Sequence, residues 1–325
     1  VLNNGLTQDY TYYPASGNYR LQSAFTRYTA TPNVGIWNRG YQYDPVGNIT
    51  EIVMGVTGQG PETQTFTYDS LGRLKTAKAV GGPAQYDHTS FSTDYDYNAI
   101  GNIMSLASGT AYNYTNWNSG CGTSNPPQAL PHAVKQKGSD YYCYDKNGNM
   151  TKRVEGGTTY NQTFDVENRL ITVSLGGSNP VTTFGYDASG QRLRTEVAPT
   201  SPSSGNTRTV TTYPFPGYEV EQRYTWQYVC ASEENCYWAW AQTATITRKT
   251  YFLGGQAIAT HINGDPSSGN NGFFYLHSDH LGSSSLLTNS SGVKVTGSET
   301  RYYPYGGQRL APSQTITDRN FTGQR

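Results

Sequence analysis

One short motif recurs through residues 13–191 and limits the fold more than any other feature of the sequence. It reads aromatic, usually Asp, two variable residues, Gly, and then Asn, Arg or Gln, as in YDPVGN at 43–48 and YDSLGR at 68–73. Most copies are roughly 20 to 30 residues apart, which is the period of a repeated supersecondary unit. The position that is usually Gly is occupied by Gly17, Gly47, Gly72, Gly101, Gly148, Asn168 and Gly190.

Each part of the motif fits the tip of a β-hairpin. An Asp or Asn side chain at the first turn position can bond to backbone amides two residues on, and Gly at the fourth position takes the left-handed conformation that closes a type I turn with a bulge. Asn168 replaces Gly in one copy and tolerates positive φ well. The motif therefore predicts an all-β chain of hairpins with no significant helix. Val at Gly47 or Gly72 is expected to destabilise the fold more than Val at Gly82, which lies outside the motif.

The composition agrees with a folded, sheet-rich protein. The formal net charge is zero, charged residues make up 14%, and the chain contains 28 Tyr. Tyr and Thr favour strands, whereas Gly and Asn favour tight turns. A neutral chain has no electrostatic reason to bind nucleic acid or an anionic membrane, and no stretch approaches the ~18 consecutive apolar residues of a membrane span. We therefore expect no nucleic-acid partner and no membrane span.

The four cysteines predict two disulfides. Cys121, Cys143, Cys230 and Cys236 include no CxxC pair, which argues against zinc. An even number of cysteines in a chain rich in Thr, Asn and Gly favours disulfides and an oxidising, extracellular compartment, with free buried thiols as the alternative. We expect Cys230 to pair with Cys236 across a hairpin and, by elimination, Cys121 to pair with Cys143.

The same hairpin predicts a ladder of aromatic side chains. If the last two cysteines face each other, Tyr228 lies opposite Trp238 and Trp226 lies opposite Trp240, all on one face. Cross-strand aromatic pairs contribute ~0.2–1 kcal/mol each, so sheet stability accounts for the cluster. Stacking on a carbohydrate is the alternative role for these four rings.

Together with its C-terminal region, the sequence resembles the YD-repeat or Rhs-repeat family, which includes teneurins and the shell component of insecticidal toxin complexes. The resemblance rests on the seven motif copies, on YLHSDHLGS at 275–283, on YYPYG at 302–306 and on FTGQ at 321–324. It implies β-hairpins wound as a spiral, shell-like sheet that often encloses a hollow. In bacterial members this hollow can hold a toxic C-terminal domain.

The resemblance and the composition divide the chain into three segments. Residues 1–198 form the YD-repeat array with an irregular insertion at 110–140, residues 199–264 form long strands with the disulfide hairpin, and residues 265–325 form the Rhs core-type segment. The sequence lacks the family's later Asp-Pro-x-Gly self-cleavage region and a payload domain. Self-cleavage and toxin delivery are therefore not predicted from the residues present.

The segment from His277 to His280 is the one cluster that offers reactive groups. Its two imidazoles and the carboxylate of Asp279 are the groups of a metal site or an acid–base pair. On a strand the two imidazoles would point to opposite faces, because their positions differ by three. We interpret the cluster as structural. We expect no catalytic residue, no metal and no cofactor, and therefore no enzyme.

The expected function is that of an extracellular or cell-surface structural scaffold. A degenerate repeat near Tyr13 and a motif still running at Phe321 predict unpaired strand edges at both ends. Such edges favour self-association into a filament, or continuation of the same polypeptide as the wall of a larger shell. Two alternatives stay open, a binding module for carbohydrate or a cell-surface partner, and a carrier that encapsulates a C-terminal toxin absent from this chain.

Overall fold

The computed structural model describes residues 2, 4–89, 95–106, 110–124, 130–176, 181–232, 235–314 and 316–324. The strands in these ranges pair in antiparallel fashion. Helix is limited to short 3₁₀ turns at Ala15–Gly17, Ser119–Ser124, Ser268–Asn270 and Phe321–Gly323. The predicted all-β fold without significant helix is confirmed.

The strands follow one another along the chain with short connections. In order they are β1 Leu6–Tyr12, β2 Leu21–Tyr28, β3 Gly35–Tyr43, β4 Ile49–Val56, β5 Glu62–Tyr68, β6 Leu74–Val80, β7 Tyr86–His88, β8 Asp96–Tyr97, β9 Ile103–Leu106, β10 Thr110–Asn113, β11 Gln136–Lys137, β12 Asp140–Tyr144, β13 Met150–Glu155, β14 Thr158–Phe164, β15 Leu170–Leu175, β16 Val181–Tyr186, β17 Arg192–Ala198, β18 Thr207–Phe215, β19 Tyr218–Ser232, β20 Asn235–Leu253, β21 Gln256–Asn263, β22 Gly272–Ser278, β23 Ser284–Asn289, β24 Arg301–Tyr302 and β25 Gln308–Leu310.

The chain forms two compact units. The first comprises Val1–Gly109, Tyr251–Thr260 and Gly272–Arg325, and the second comprises Thr110–Thr250 and His261–Asn271. This division differs from the three segments expected from the sequence. The expected boundary after residue 198 falls between β17 and β18, which pair directly within the second unit, so the repeat array and the long strands that follow it are continuous.

The first unit is built on a sheet whose strands are in sequence order, β1 to β7. Because side chains alternate along a strand, Trp37 and Tyr41 share one face, opposite Val56 and Ile52 of β4, and all four are buried. Leu286 of β23 packs into this face. Fully burying one such aliphatic side chain contributes ~1.5–3 kcal/mol, so the C-terminal segment supplies part of the core of the N-terminal sheet.

The second unit is a ladder of hairpins running in sequence order from β10 to β20. The insertion expected at 110–140 contains two short strands, β10 and β11, and a 3₁₀ turn, and its residues 125–129 lie outside the described ranges. Both predicted disulfides are confirmed. Cys121 pairs with Cys143 at a Cα–Cα distance of 5.4 Å, and Cys230 pairs with Cys236 at 4.0 Å.

Candidate functional site

The repeated turns share one hydrogen-bond geometry. The backbone amide of Asp69 donates to the carbonyl oxygen of Arg73 at 2.9 Å, and the amide of Gly72 donates to the carbonyl of Asp69 at 3.0 Å. The Oδ1 atom of Asp69 accepts the amides of Leu71 and Arg73, both at 2.9 Å. The aromatic residue before the Asp lies where the strand register shifts, as at Tyr68, so each turn carries the predicted bulge. The same side chain-to-amide bonds occur at Asn98, Asp145, Asp165 and Asp187.

The fourth turn position adopts positive φ in six of the seven copies. The φ angles are 109° at Gly47, 74° at Gly72, 88° at Gly101, 86° at Gly148, 60° at Asn168 and 83° at Gly190.

The first copy is different, and the prediction for Gly17 was wrong. Gly17 lies in a 3₁₀ turn, and positive φ is found instead at Asn18, at 57°, and Tyr19, at 52°. Pro14 occupies the place of the Asp in this copy. The amide of Gly17 still donates to the carbonyl of Pro14 at 2.8 Å. Proline has neither an N–H nor a carboxylate, so the bond from the first residue's amide and the side chain-to-amide bonds of the other turns cannot form.

Four of the turns are tied to the preceding one through the motif tyrosine. The hydroxyl of Tyr68 donates at 2.7 Å to the carbonyl of Ile49, the residue that follows the previous turn. Burial raises the pKa of Tyr68 to about 12, so the hydroxyl stays protonated and remains a donor. The equivalent bonds join Tyr43 to Leu21, Tyr97 to Leu74 and Tyr186 to Leu170, at 2.8, 2.9 and 2.7 Å.

Arginine at the last motif position adds a second tie, toward the following turn. Arg73 donates through Nε to Asp69 Oδ2 at 2.7 Å, which locks its own turn. The Arg73 guanidinium lies over the ring of Tyr97 at 4.6 Å and reaches the carbonyl of Asn98 at 3.4 Å. Arg169 makes the corresponding contacts in the second unit. We call this set of tyrosine and arginine contacts between successive turns the turn clasp.

The turn carboxylates are held in their ionised form. The backbone amide of Arg73 lowers the pKa of Asp69 below its usual value, and the Arg73 side chain lowers it further. The amide and side chain of Arg169 lower the pKa of Asp165 in the same way. A carboxylate that already accepts several donors suits a structural role better than that of a proton donor in catalysis.

Further turns of this type lie in the C-terminal segment, where the motif search did not find them. The amide of Asp279 donates to the carbonyl of Ser283 at 2.9 Å, Gly282 has φ of 82°, and Asp279 Oδ1 accepts the amides of Leu281 and Ser283. Asp or Asn followed three residues later by Gly would have identified most of them without the leading aromatic. Turns with the same backbone bonds begin at Asn289, Tyr303 and Asn320.

The two histidines beside Asp279 have different environments. His277 is fully buried on β22, its Nε2 lies 2.9 Å from the Thr288 hydroxyl, and burial lowers its pKa to about 4. His280 lies in the turn beyond the end of β22 and packs against the ring of Tyr41 at 5.3 Å. The expectation from strand alternation does not apply to His280, because the strand ends before it. In the ranges that the structure describes, no three His, Cys, Asp or Glu side chains are grouped as metal ligands.

A buried ionic cluster joins β5 to the C-terminal segment. Glu62 has no exposed surface, and its Oε2 accepts Arg301 Nη1 at 2.5 Å and Arg309 Nη1 at 2.8 Å. Arg309 Nη2 and Gln64 bond to the other carboxylate oxygen, and Arg301 also pairs with Glu299. Two arginines therefore balance two glutamates. Sequence reasoning missed this cluster because its partners are more than two hundred positions apart and no local pattern connects them.

The disulfide hairpin has the predicted register. Tyr228 pairs with Trp238 and Trp226 pairs with Trp240, with ring centroids 5.8 and 5.2 Å apart. Tyr228 and Trp238 remain 59% and 47% exposed, so the outer pair of the ladder is accessible.

These observations define the class of fold as an array of consecutive antiparallel hairpins closed by Asp–Gly turns. No protein-family model and no curated protein sequence matches the chain. Among solved structures, it is similar to the crystal structure of TcdB2-TccC3, at 20% identity and a TM-score of 0.61, over 99% of this chain and 16% of that chain. It is also similar to the Photorhabdus luminescens Tc holotoxin pore with the TccC3-D651A mutation, at 19% identity and a TM-score of 0.62, over 98% of this chain and 16% of that one. Likeness at this identity shows the fold alone, and the chain spans only a small part of these proteins.

Proposed function

We propose that the chain is a structural scaffold, a wall segment built of YD repeats rather than an enzyme. The turn clasp is the observation that carries the proposal. The Asp of the motif bonds to amides of its own turn, whereas the Tyr and the Arg of the motif bond to adjacent turns. Contacts of this kind stiffen the array at its turns.

The exposure pattern of the ladder supports the role of a wall. From Met150 to Ala198, no described residue is buried. A sheet that is only half-buried on both faces fits a thin wall. Such a wall gains further contacts when the polypeptide continues the sheet or when the sheet associates with another chain. The similar solved structures are those of TcdB2-TccC3 and of a Tc holotoxin pore, which supports assembly with other chains or continuation of the same polypeptide.

An extracellular or cell-surface location follows from the same proposal. Two disulfides stabilise a protein where the environment is oxidising. No helix among the described residues has the length and hydropathy needed to cross a membrane.

The test is the mass and shape of the native protein, isolated from its source without denaturation and viewed by negative-stain electron microscopy. The proposal predicts filaments of one subunit or a much larger hollow particle that contains this segment. A compact, monodisperse 35.7 kDa monomer would contradict both forms of the scaffold.

The exposed outer pair of the aromatic ladder favours one second candidate, a carbohydrate-binding module. Tyr228 and Trp238 present ring faces of the kind that stack on sugars. Under this candidate, Trp238→Ala abolishes binding on a glycan array while the circular dichroism spectrum stays unchanged. Trp37→Ala is not a suitable control because Trp37 is buried in the core, whereas Tyr12→Ala, on an exposed strand end, is suitable. No glycan bound by the wild-type chain would remove this candidate.

A further inference from the structure

A cavity of about 450 Å³ lies in the first unit, between the sheet and the C-terminal segment that covers it. Cavities of this size are typical of sites for small molecules. One wall is the face of β4 to β6, and the opposite wall includes Tyr302, Tyr303 and Phe321. The apolar side chains of the first wall are Ile49, Ile52, Met54, Phe66 and Leu74.

Arg39 lines this cavity, and its buried guanidinium takes part in no ion pair among the residues that the structure describes. The residue is 8% exposed, and its Nη2 donates to the Ser285 hydroxyl at 3.0 Å. Its guanidinium stacks on Trp37 at 4.1 Å, while Nη1 is buried without a hydrogen-bond acceptor. Among the described residues, no carboxylate lies within the 4 Å of an ion pair with Arg39.

Glu62, the acidic residue two strands away from Arg39, is already engaged. The strand register aligns Arg39 with Met54 and Met54 with Glu62, so Arg39 and Glu62 are two strands apart, at roughly 10 Å. Glu62 is bound by Arg301 and Arg309.

The other polar groups near Arg39 do not replace an ion-pair partner. Asp279 lines the same cavity, but its Oδ1 accepts the two amides of its own turn. Tyr41, which interacts with the guanidinium, is a neutral phenol whose pKa is raised by burial.

We propose that this cavity binds a small monocarboxylate with an apolar tail, such as a medium-chain fatty acid. A buried guanidinium without a counter-ion is unfavourable, and its fork geometry matches a carboxylate in two parallel hydrogen bonds. The carboxylate pairs with Arg39 through Nη1, and the tail lies along Ile52, Met54 and Phe66. The site does not require the scaffold role.

The experiment is isothermal titration of the purified chain with decanoate and, as an uncharged probe of the same length, decanol. Decanoate is expected to bind saturably with one site per chain. Arg39→Met should weaken decanoate binding at least tenfold and leave decanol binding within about twofold, because a charge-assisted hydrogen bond is lost. Arg194→Met, which removes an arginine from the second unit, should change neither.

A second variant keeps the test decisive if Arg39→Met does not fold. Met54→Trp fills the cavity and should abolish binding of both probes while the far-ultraviolet circular dichroism spectrum is retained. The proposal is overturned if the wild-type chain shows no saturable decanoate binding up to about 1 mM, or if Arg39→Met binds decanoate as tightly as the wild type does. Binding of a short apolar peptide with one Glu, without binding of decanoate, also overturns it and indicates a polypeptide occupant.

Discussion

The seven-stranded sheet of the first unit and the β13 to β17 ladder of the second use the same turns but obtain stability in different ways. The first has a buried face with Trp37, Ile52 and Met54, and an ionic cluster at Glu62 that is closed to solvent. In the ladder, no described residue between Met150 and Ala198 is buried. The ladder therefore depends on its turns, its cross-strand pairs and its neighbouring strands.

This difference separates the tasks of two kinds of residue. Core residues hold one sheet against the segment that covers it. Substituting one of them should lower the free energy of unfolding strongly, because no other residue replaces its contacts. Turn-clasp residues act locally and repeat along both units. Substituting one of them should therefore affect the contact between only two successive turns. Variants in the two regions test this separation.

Glu62→Gln is expected to have the largest effect. The change removes the charge that two buried arginines share, and breaking a buried ion pair in this way costs about 3–5 kcal/mol. Glu196→Gln is the matched control in the ladder, because Glu196 also bridges two arginines, Arg194 and Arg208, but near the surface. Its cost should be about 1 kcal/mol or less. Urea unfolding of both variants measures the two values, and equal losses would contradict the contrast between the regions.

His277 gives the first unit a dependence on pH that the turns do not share. Its pKa is lowered by burial to about 4 in the folded chain, against roughly 6.5 when unfolded. The folded state resists protonation, so its stability is complete above pH 6.5 and falls by ~3 kcal/mol as the pH drops to about 4. His277→Gln should flatten the profile of unfolding free energy in this window.

The turn carboxylates respond at lower pH. The pKa of Asp69 and of Asp165 is lowered in the folded chain, so their contribution to the free energy of unfolding is present above the unfolded pKa of about 3.9 and is lost as the pH falls below it.

The contradicting outcome for His277 lies at higher pH. If the wild-type chain and His277→Gln lose stability in parallel between pH 6.5 and 4, His277 is not the group responsible.

Substituting a turn glycine should lower the free energy of unfolding by the same amount in both regions. Gly72→Ala and Gly148→Ala each force a side chain into positive φ, at 74° and 86°, with a cost of about 1–2 kcal/mol. Gly60 has open space and no positive φ, so Gly60→Ala should be neutral or slightly stabilising. Thermal unfolding checks the three variants. If Gly60→Ala is as destabilising as the others, positive φ is not the cause.

Gly82, the glycine outside the motif that the sequence suggested as a control, is not a suitable one. Gly82 also has positive φ, at 64°, and a Cβ there would lie 2.7 Å from Arg301 Nη1 and 3.1 Å from Glu62 Cβ. Gly82→Val is therefore expected to destabilise the chain more than Gly72→Val does, the reverse of the order predicted from the motif.

Loss of one turn clasp should have the smallest effect. Tyr68→Phe and Tyr186→Phe each remove a hydroxyl that donates to a backbone carbonyl of the preceding turn, at a cost of about 0.5–1.5 kcal/mol. Tyr12 is 59% exposed, and Tyr12→Phe should leave the free energy of unfolding unchanged. Equal small losses in the free energy of unfolding for the two clasp variants support equivalent contacts between successive turns. A loss in only one variant would show that these contacts are not equivalent.

Local chemistry made much of this fold predictable. An Asp, a Gly and an aromatic at fixed spacing define a turn without reference to the rest of the chain, and one disulfide fixes the register of the β19–β20 hairpin. Gly17 was mispredicted because Pro14 removes the amide donor and the side-chain acceptor that the other turns use. The turn at Asp279 was missed because Ser278 stands where an aromatic was required.

The cavity and the ionic cluster were beyond the reach of the sequence for another reason. Glu62 meets Arg301 and Arg309 across more than two hundred residues, and Arg39 meets Ser285 across a similar distance. Contacts of this range depend on how the C-terminal segment lies on the first sheet. A periodic pattern in one sequence carries no information about that arrangement.

Native-state hydrogen exchange of the intact chain tests most directly the claim that clasped turns hold the array together. The amides of Arg73, Arg169 and Gln191 each close a turn by bonding to an Asp carboxylate. The account predicts that these amides exchange as slowly as amides in the flanking strands, since turn and strand open together. Exchange at the rate of open loops, with the strands still protected, would contradict it.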